Sequence, residues 1–452
     1  MASPATSDDD LEARFARGLG RLHVGDPAGA VQAFAAAREL APGIPEIHAN
    51  LALALEACGD SEAARAAYHA ALLLAPDDVQ ILLNHGALLT RLRDFAEAEQ
   101  SYRQALDWQA DNPAIWSNLG VLYACQQREI LAEDCYRQAL ELDPAHRSSQ
   151  FNLAYLLLRQ GRFDEGWQRL EARDSRHHLL QTLALPEWAG KDLRGQRIVI
   201  TAEGGHGDLL HLGRYTARLK AAGAASVGIL AYPGLHTLLA TLPGVDRVLP
   251  HVAALTAADW DYWVALFSLP RHFAGQPVDL PYLAVNPAIQ ARWAARLPTT
   301  GKRRIGLVWH GSCHHANDRE RSLPTPELLA PLLALPDYEF LALHQDGATP
   351  LAGVCELGSE IADFSDSAAI LQQLDLLISV DTALAHLAGA LARPCWVLLP
   401  ACQTDWRWGK HRSDSPWYPQ VLRLYRQQRA GDWASVIARI ADDLQKFTGA
   451  AR

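Results

Sequence analysis

The chain is short of the features that mark export, metal binding and nucleic-acid binding. Its 452 residues include seven Cys, and no two of them form a C-x-x-C pair. An odd, scattered set of this kind reads as reduced thiols, not as a disulfide framework. The N-terminal stretch MASPATSDDD has no basic segment and no apolar core, so no secretion signal is expected. No apolar run is long enough to cross a bilayer. Together these absences predict a cytoplasmic protein without a transmembrane segment. His310, His314 and His315 cluster, yet no H-E-x-x-H or paired Cys/His spacing accompanies them. Neither a metal nor another cofactor is therefore expected. Basic charge is also scarce. With 41 Lys and Arg against 51 Asp and Glu, the formal charge is -10, which argues against nucleic acid as a partner.

What the chain does have is a repeat. A 34-residue step aligns copies beginning at Leu11, Pro45, Val79, Pro113 and Arg147. The fourth copy carries Trp116, Leu119, Gly120, Tyr123, Ala132, Tyr136, Ala139 and Pro144, which is the tetratricopeptide pattern. Position 20 is Ala30, Ala64, Ala98 and Ala132, then Gly166. Position 24 is Phe34, Tyr68, Tyr102 and Tyr136, then Leu170. Position 27 is Ala37, Ala71, Ala105 and Ala139, then Arg173. Small residues at positions 8 and 20 let two antiparallel helices approach, the aromatic at 24 fills the space between them, and a Pro at 32 ends the second helix. The fifth copy decays at 20 and 27, as suits a terminal repeat joined to something else. Five repeats over residues 11–176 follow, after a disordered 1–10. Such arrays bind extended polypeptides on a concave face, or serve as spacers.

After a linker at 177–196 the period changes. Short apolar runs alternate with helical stretches: RIVITA (197–202), SVGILAY (226–232), VDRVLP (245–250) and YWVALF (262–267). A Pro-rich link follows at 280–289. A second series then runs RRIGLVWHG (303–311), YEFLALH (338–344), LDLLISVD (374–381), PCWVLLP (394–400) and VLRLYRQ (421–427). This alternation predicts parallel sheets with crossover helices. Two Rossmann-like domains are expected, at 197–290 and 291–430, with a C-terminal helix and tail at 431–452. Ligands should bind at the carboxyl ends of their strands.

Four stretches carry candidate chemistry. EGGHGD (203–208) follows the first strand. Asp208 is either a helix cap or a general base, and Gly205, His206 and Gly207 let a substrate approach. It is not a G-x-G-x-x-G motif, so a dinucleotide fingerprint is unsupported. HGSCHHANDRERS (310–322) carries Arg319 and Arg321, whose planar forks suit phosphate oxygens, or is a solvated loop. SVDTALAH (379–386) ends a strand and starts a helix, where free N–H groups favour phosphate. Thr382 and His386 share one face of that helix, away from Leu384, Leu387 and Leu391, so His386 is expected to face a ligand. DWRWGKHRSDSPWYP (405–419) brings Trp406, Trp408, Trp417 and Tyr418 among cations, as a stacking platform or as a folded lid.

With AEGGHGDLLHLGRY, NDRERS, SVDTALAHLAGALARPCWVLLP and DWRWGKHRSDSPWYPQVLRLYRQ behind five repeats, the chain resembles bacterial tetratricopeptide-repeat glycosyltransferases. Its catalytic part is similar to the ADP-heptose heptosyltransferases and, more distantly, to the O-GlcNAc transferases. The resemblance implies an α-solenoid followed by an α/β GT-B fold of two Rossmann-like domains. It implies inverting, metal-independent transfer from a nucleotide sugar to a Ser or Thr hydroxyl of a protein, with flagellin or another surface protein as an acceptor. Alternatives are transfer to a lipopolysaccharide-type glycan, or a scaffold with a degenerate transferase domain. Carried over by position, Asp208 is the base. Asp381, Thr382, Ala383 and His386 form the donor-binding helix start, Arg319 and Arg321 meet the diphosphate, and Trp406 and Arg407 belong to a substrate loop. Relatives usually read E-Q-G-L-G-D at 203–208, where this chain has Gly204 and His206 instead of Gln and Leu. They often read S-L-Q where it has Leu343-His344-Gln345, which leaves Gln345 as a substrate-loop candidate.

Overall fold

The computed structural model describes residues 5–273, 279–315, 317–344 and 351–447. The chain divides into two compact units, residues 1–153 and 154–452.

The first unit is built of helical hairpins: α1 (Ala5–His23) with α2 (Pro27–Leu40), α3 (Pro45–Ala57) with α4 (Ser61–Leu74), α5 (Val79–Leu92) with α6 (Phe95–Trp108), and α7 (Pro113–Cys125) with α8 (Glu129–Leu142). The repeat positions explain the packing. Ala30, Ala64, Ala98 and Ala132 at position 20, and Ala37, Ala71, Ala105 and Ala139 at position 27, are all 0% exposed. At position 8, Gly18, Gly86 and Gly120 sit beneath the rings of Phe34, Tyr102 and Tyr136. A Cβ there would come within 2.4–2.6 Å of a ring carbon. At these three positions the closing aromatic leaves no room for a side chain, whereas the second copy fits Ala52 beside Tyr68. The helix α1 starts at Ala5, so the stretch to residue 10 expected to be disordered is helical from residue 5 onward. An ion pair one turn apart, Asp10 with Arg14 (2.8 Å), supports it.

The fifth hairpin, α9 (Arg147–Arg159) and α10 (Phe163–Leu170), differs. Its second helix has 8 residues, against 14 in each of α2, α4, α6 and α8. A further helix, α11 (Asp174–Thr182), crosses the expected repeat boundary at 176. The expected linker is no free spacer. Leu185 and Trp188 are buried, and the segment runs beside Trp263: Trp188 N donates to Trp263 O (2.7 Å) and Trp263 N to Pro186 O (3.1 Å). The large apolar side chains of 185 and 188 explain why this stretch packs instead of spanning.

Beyond it, the described strands form two parallel sheets. The first holds β1 (Arg197–Thr201), β2 (Ser226–Ala231), β3 (Arg247–Pro250) and β4 (Tyr262–Ala265) in the order β3-β2-β1-β4. The second holds β5 (Arg303–Val308), β6 (Tyr338–Ala342), β7 (Val354–Glu356), β8 (Leu376–Val380), β9 (Cys395–Leu399) and β10 (Leu422–Arg426) in the order β10-β9-β8-β5-β6-β7. All pairs are parallel. Every strand expected from sequence is present. The short β7 has no apolar run to announce it. Central strands β8 and β9 are buried throughout, as sheets covered on both faces require. Helices as repeats followed by an α/β part of two Rossmann-like sheets is thus the architecture of the chain. The domain boundary drawn at 290 falls inside the helix Pro287–Arg296, whose Trp293 Nε1 donates to Asp366 (2.9 Å) beside the second sheet. The C-terminal helix Trp433–Gln445 buries Val436, Ile437, Ile440 and Leu444. No helix among the described residues is long and apolar enough to cross a membrane. No disulfide joins any of the cysteines among the described residues.

Candidate functional site

Topology marks where ligands can enter. In the first sheet the chain runs outward from β1 to β3 and returns to the other side of β1 with β4. In the second it runs from β5 to β7 and returns beside β5 with β8. Loops diverge at such switch points and leave a crevice at the carboxyl ends. The loops after β1 and β8 are the stretches 203–208 and 381–386 singled out by sequence. The loop after β5 carries Arg319 and Arg321.

The loop after β1 leads into α12 (His206–Leu212). Asp208 is not the cap residue of this helix. Gly205 is, and Asp208, three residues on, reaches back so that its Oδ2 accepts from Gly205 N (2.6 Å). Its Oδ1 accepts from Arg407 Nη2. Arg407 is 4% exposed and spends its other donors on both oxygens of Asp405 (3.0 Å each) and on His211 Nδ1 (3.0 Å). Burial raises the proton affinity of Asp208 above the usual carboxylate range, with Arg407 pulling the other way. Burial works against the Arg407 guanidinium too, but Asp405 and Asp208 outweigh it and hold it firmly charged. Sequence named Asp208 and Arg407 separately. Their pairing, across 199 residues, has no sequence signal.

Glu203, at the start of the same loop, was missed. It is 3% exposed and takes both Arg173 Nε and Arg173 Nη2 at 2.8 Å, Ser175 Oγ at 2.6 Å and Phe267 N at 3.2 Å. The signal was present in Arg173, which stands where four earlier copies have Ala. Its fork holds the loop after β1 instead of filling a hairpin.

The loop after β8 is built differently. Thr382 is the cap residue of the helix Ala383–Ala390, in extended backbone with no side-chain cap bond; its hydroxyl pairs with Ser379 Oγ (3.0 Å). Ala385 N donates to the Thr382 carbonyl (3.1 Å), and the N–H groups of Ala383 and Leu384 receive no side-chain cap. Arg321 Nη1 donates to the Asp381 carbonyl (3.0 Å), while its Nε donates to Asp318 (3.1 Å). Arg319 is exposed on the same short helix, Asp318–Arg321. Burial and the negative charge of Asp405 push the Asp381 carboxyl up to about 7.

Three expectations are corrected. His386 is not left open on an exposed helix face. It is 6% exposed, shares a hydrogen bond with Tyr418 Oη (3.0 Å) and stacks on Trp408 at 5.0 Å. The helix Ala383–Ala390 is buried on all sides from Ala385 on, so its polar face is covered as well. Burial, with Arg407 and Arg214 nearby, keeps the His386 ring neutral, its proton affinity well below the ordinary value. Trp406 is no substrate platform: it packs edge-on against Trp167 of α10 (5.0 Å) and Trp417 (5.6 Å). Arg407 lies in a buried ion-pair network instead of an open loop. His206 stacks on Phe364 at 5.2 Å, and Gln345 lies outside the described residues. Among the described residues no group of three or more His, Cys, Asp or Glu is placed to hold a metal ion.

The two loops meet. A Cβ on Gly207 would stand 3.0 Å from His386 Cδ2 and 3.4 Å from Ala383 Cα, so the missing side chain lets the start of α12 lie close against the start of the helix Ala383–Ala390. A carboxylate and a helix N-terminus thereby share one seam.

Comparison with known proteins gives partial matches over both parts. Among solved structures, E. coli ADP-heptose lps heptosyltransferase II aligns with 55% of this chain and 98% of its own, at 14% identity and a TM-score of 0.42. Pseudomonas aeruginosa pilF aligns with 48% of this chain and 87% of its own, at 20% identity and a TM-score of 0.36. Protein FlbA of Caulobacter vibrioides is 29% identical over 337 residues, 66% of this chain and 55% of that protein. The chain thus spans about half the length of the curated relative it matches. Tetratricopeptide repeat models match residues 21–85, 79–112, 113–146 and 131–170, so the helical hairpins of this chain are tetratricopeptide repeats.

Proposed function

We propose that the chain is a glycosyltransferase that moves a sugar from a nucleoside-diphosphate sugar to a hydroxyl of a protein, with inversion. The observation that carries this reading is the seam at Gly207, where the Asp208 loop and the start of the helix Ala383–Ala390 lie side by side. The acceptor oxygen attacks the anomeric carbon and its proton passes to Asp208. The bond from the anomeric carbon to the diphosphate oxygen breaks, and the nucleoside diphosphate leaves with the electron pair. Its charge is met by the N–H groups after Thr382 and by Arg319 and Arg321, with no metal required. The tetratricopeptide repeats hold the acceptor polypeptide.

The test is a thermal-shift panel of UDP, GDP, ADP, CDP and CMP sugars against the full-length protein, followed by release of the nucleotide from whichever donor stabilises it. A ligand that binds only the folded state raises the melting temperature. Stabilisation by one nucleotide sugar, with turnover lost in Asp208→Asn, is the expected result. A folded protein that none of the five classes stabilises would instead favour a repeat scaffold whose transferase part is inactive.

A further inference from the structure

The loop after β1 and the segment 405–408 are far apart in sequence, yet they are joined by one buried guanidinium. Arg407 donates from Nη2 to Asp208, from Nη1 to both oxygens of Asp405 and from Nε to His211 Nδ1. The last bond puts the ring proton of His211 on Nε2. The guanidinium plane also lies over the Trp406 ring at 4.4 Å, which fixes it from the side. Asp208 is held at both oxygens, one by Gly205 N and one by Arg407. Each oxygen keeps a second lone pair, so a third donor can still be accepted.

Resting on the glycosyltransferase reading, we propose that Arg407 is the positioning residue of the Asp208 base: it aims the carboxylate toward the seam and supplies the positive charge that keeps it an anion. Asp405 has the opposite influence, because it shares the same guanidinium and adds a negative charge. Other titratable groups that act on Asp208, Asp405 or Arg407 are Tyr155 of α9, Tyr232 after β2, His315 of the loop after β5, Asp381 after β8, His211 of α12 and His386. Of these, His211 is buried and held neutral by burial and by Arg214 and Arg407, so it brings no competing charge. Burial alone would favour the protonated acid, and Arg407 is the one cation with a direct hydrogen bond to Asp208 among the described residues. A protonated Asp208 could take no proton from a hydroxyl.

The inference predicts shifts of opposite sign from two substitutions in one cluster. Full-length protein labelled with 13C at the aspartate carboxyl carbon is titrated by NMR, and the Asp208 signal is identified by its loss in Asp208→Asn. Arg407→Gln should raise the Asp208 midpoint by about one to three pH units. Arg407→Lys, which keeps the charge, should move it by less than about one unit. Asp405→Asn should lower it. If Arg407→Gln does not fold, Arg407→Lys and Asp405→Asn decide. An unmoved midpoint in Arg407→Gln, or a rise in Asp405→Asn, overturns the inference. The titration needs no substrate, so it stands or falls apart from the donor panel. If a nucleotide sugar does bind, the acid limb of its turnover should follow the Asp208 midpoint from variant to variant. A limb that stays in place while the midpoint moves overturns Asp208 as the base, and with it Arg407 as its positioning residue.

Discussion

The loops after β1 and β8 each leave their sheet beside its switch point, one from the first strand and one from the returning strand, and end against each other, yet they are made in opposite ways. The first is a loop of carboxylates, each bound by an arginine from elsewhere in the chain: Glu203 by Arg173, Asp208 by Arg407. The second offers main-chain N–H groups at an uncapped helix start, with Arg321 tied to its backbone. A strand end beside a switch point can therefore present a carboxylate or a helix start. Side chains decide the first and backbone decides the second. A carboxylate loop is fragile in a way that a backbone loop is not, because each buried charge depends on one partner.

The largest effect should come from Arg173→Ala, which restores the residue of the earlier repeats but strands Glu203 in the interior. A loss of about 3–5 kcal/mol in denaturant unfolding is expected. Arg321→Ala at the second loop should cost far less, since its fork also sees solvent. Equal costs would erase the contrast between the loops. Next, Asp208→Asn should lower turnover of the bound donor by about 10²–10⁴-fold with donor affinity little changed. Gly207→Val tests the seam itself: overpacking against His386 and Ala383 should cost about 1–3 kcal/mol by thermal unfolding. At the second loop, Thr382→Val should weaken nucleoside diphosphate binding, measured by calorimetry, by about 1 kcal/mol while leaving stability nearly intact. A final prediction concerns pH. Asp381 binds its proton more tightly in the folded state, up to about 7, than in an unfolded chain. Its contribution to stability is therefore full below its unfolded value and is lost as pH rises through about 7. Asp381→Asn should raise the melting temperature relative to wild type at pH 8 and give little or no gain at pH 4.

Much of this was legible in the sequence, and the physical reasons are plain. The repeats show because one small or aromatic residue must recur at each helix contact. The strands show because both faces of a parallel sheet are buried. Asp208 and Thr382 show because they sit where a strand gives way to a helix. His386 was misread because a helical wheel tells which face meets the sheet behind it, not whether Trp408 and Tyr418 cover the opposite face. The sequence leaves Trp406 open between a ligand platform and a folded lid, because aromatics beside cations suit both, and its packing on Trp167 places it in the interior. The pairs Arg173–Glu203 and Arg407–Asp208 were invisible because long-range ion pairs leave no periodic trace. Arg173 did break its own repeat, and that break was the available clue.

That break has a consequence for how such chains can lengthen. Copies that end in Ala at position 27 are interchangeable parts, since each asks only for another hairpin of the same kind. The copy ending in Arg173 is not interchangeable: its arginine answers one particular glutamate, and its shortened second helix ends where that glutamate must be reached. Repeats ahead of it carry no such tie, whereas the last one is held to the α/β part through that ion pair.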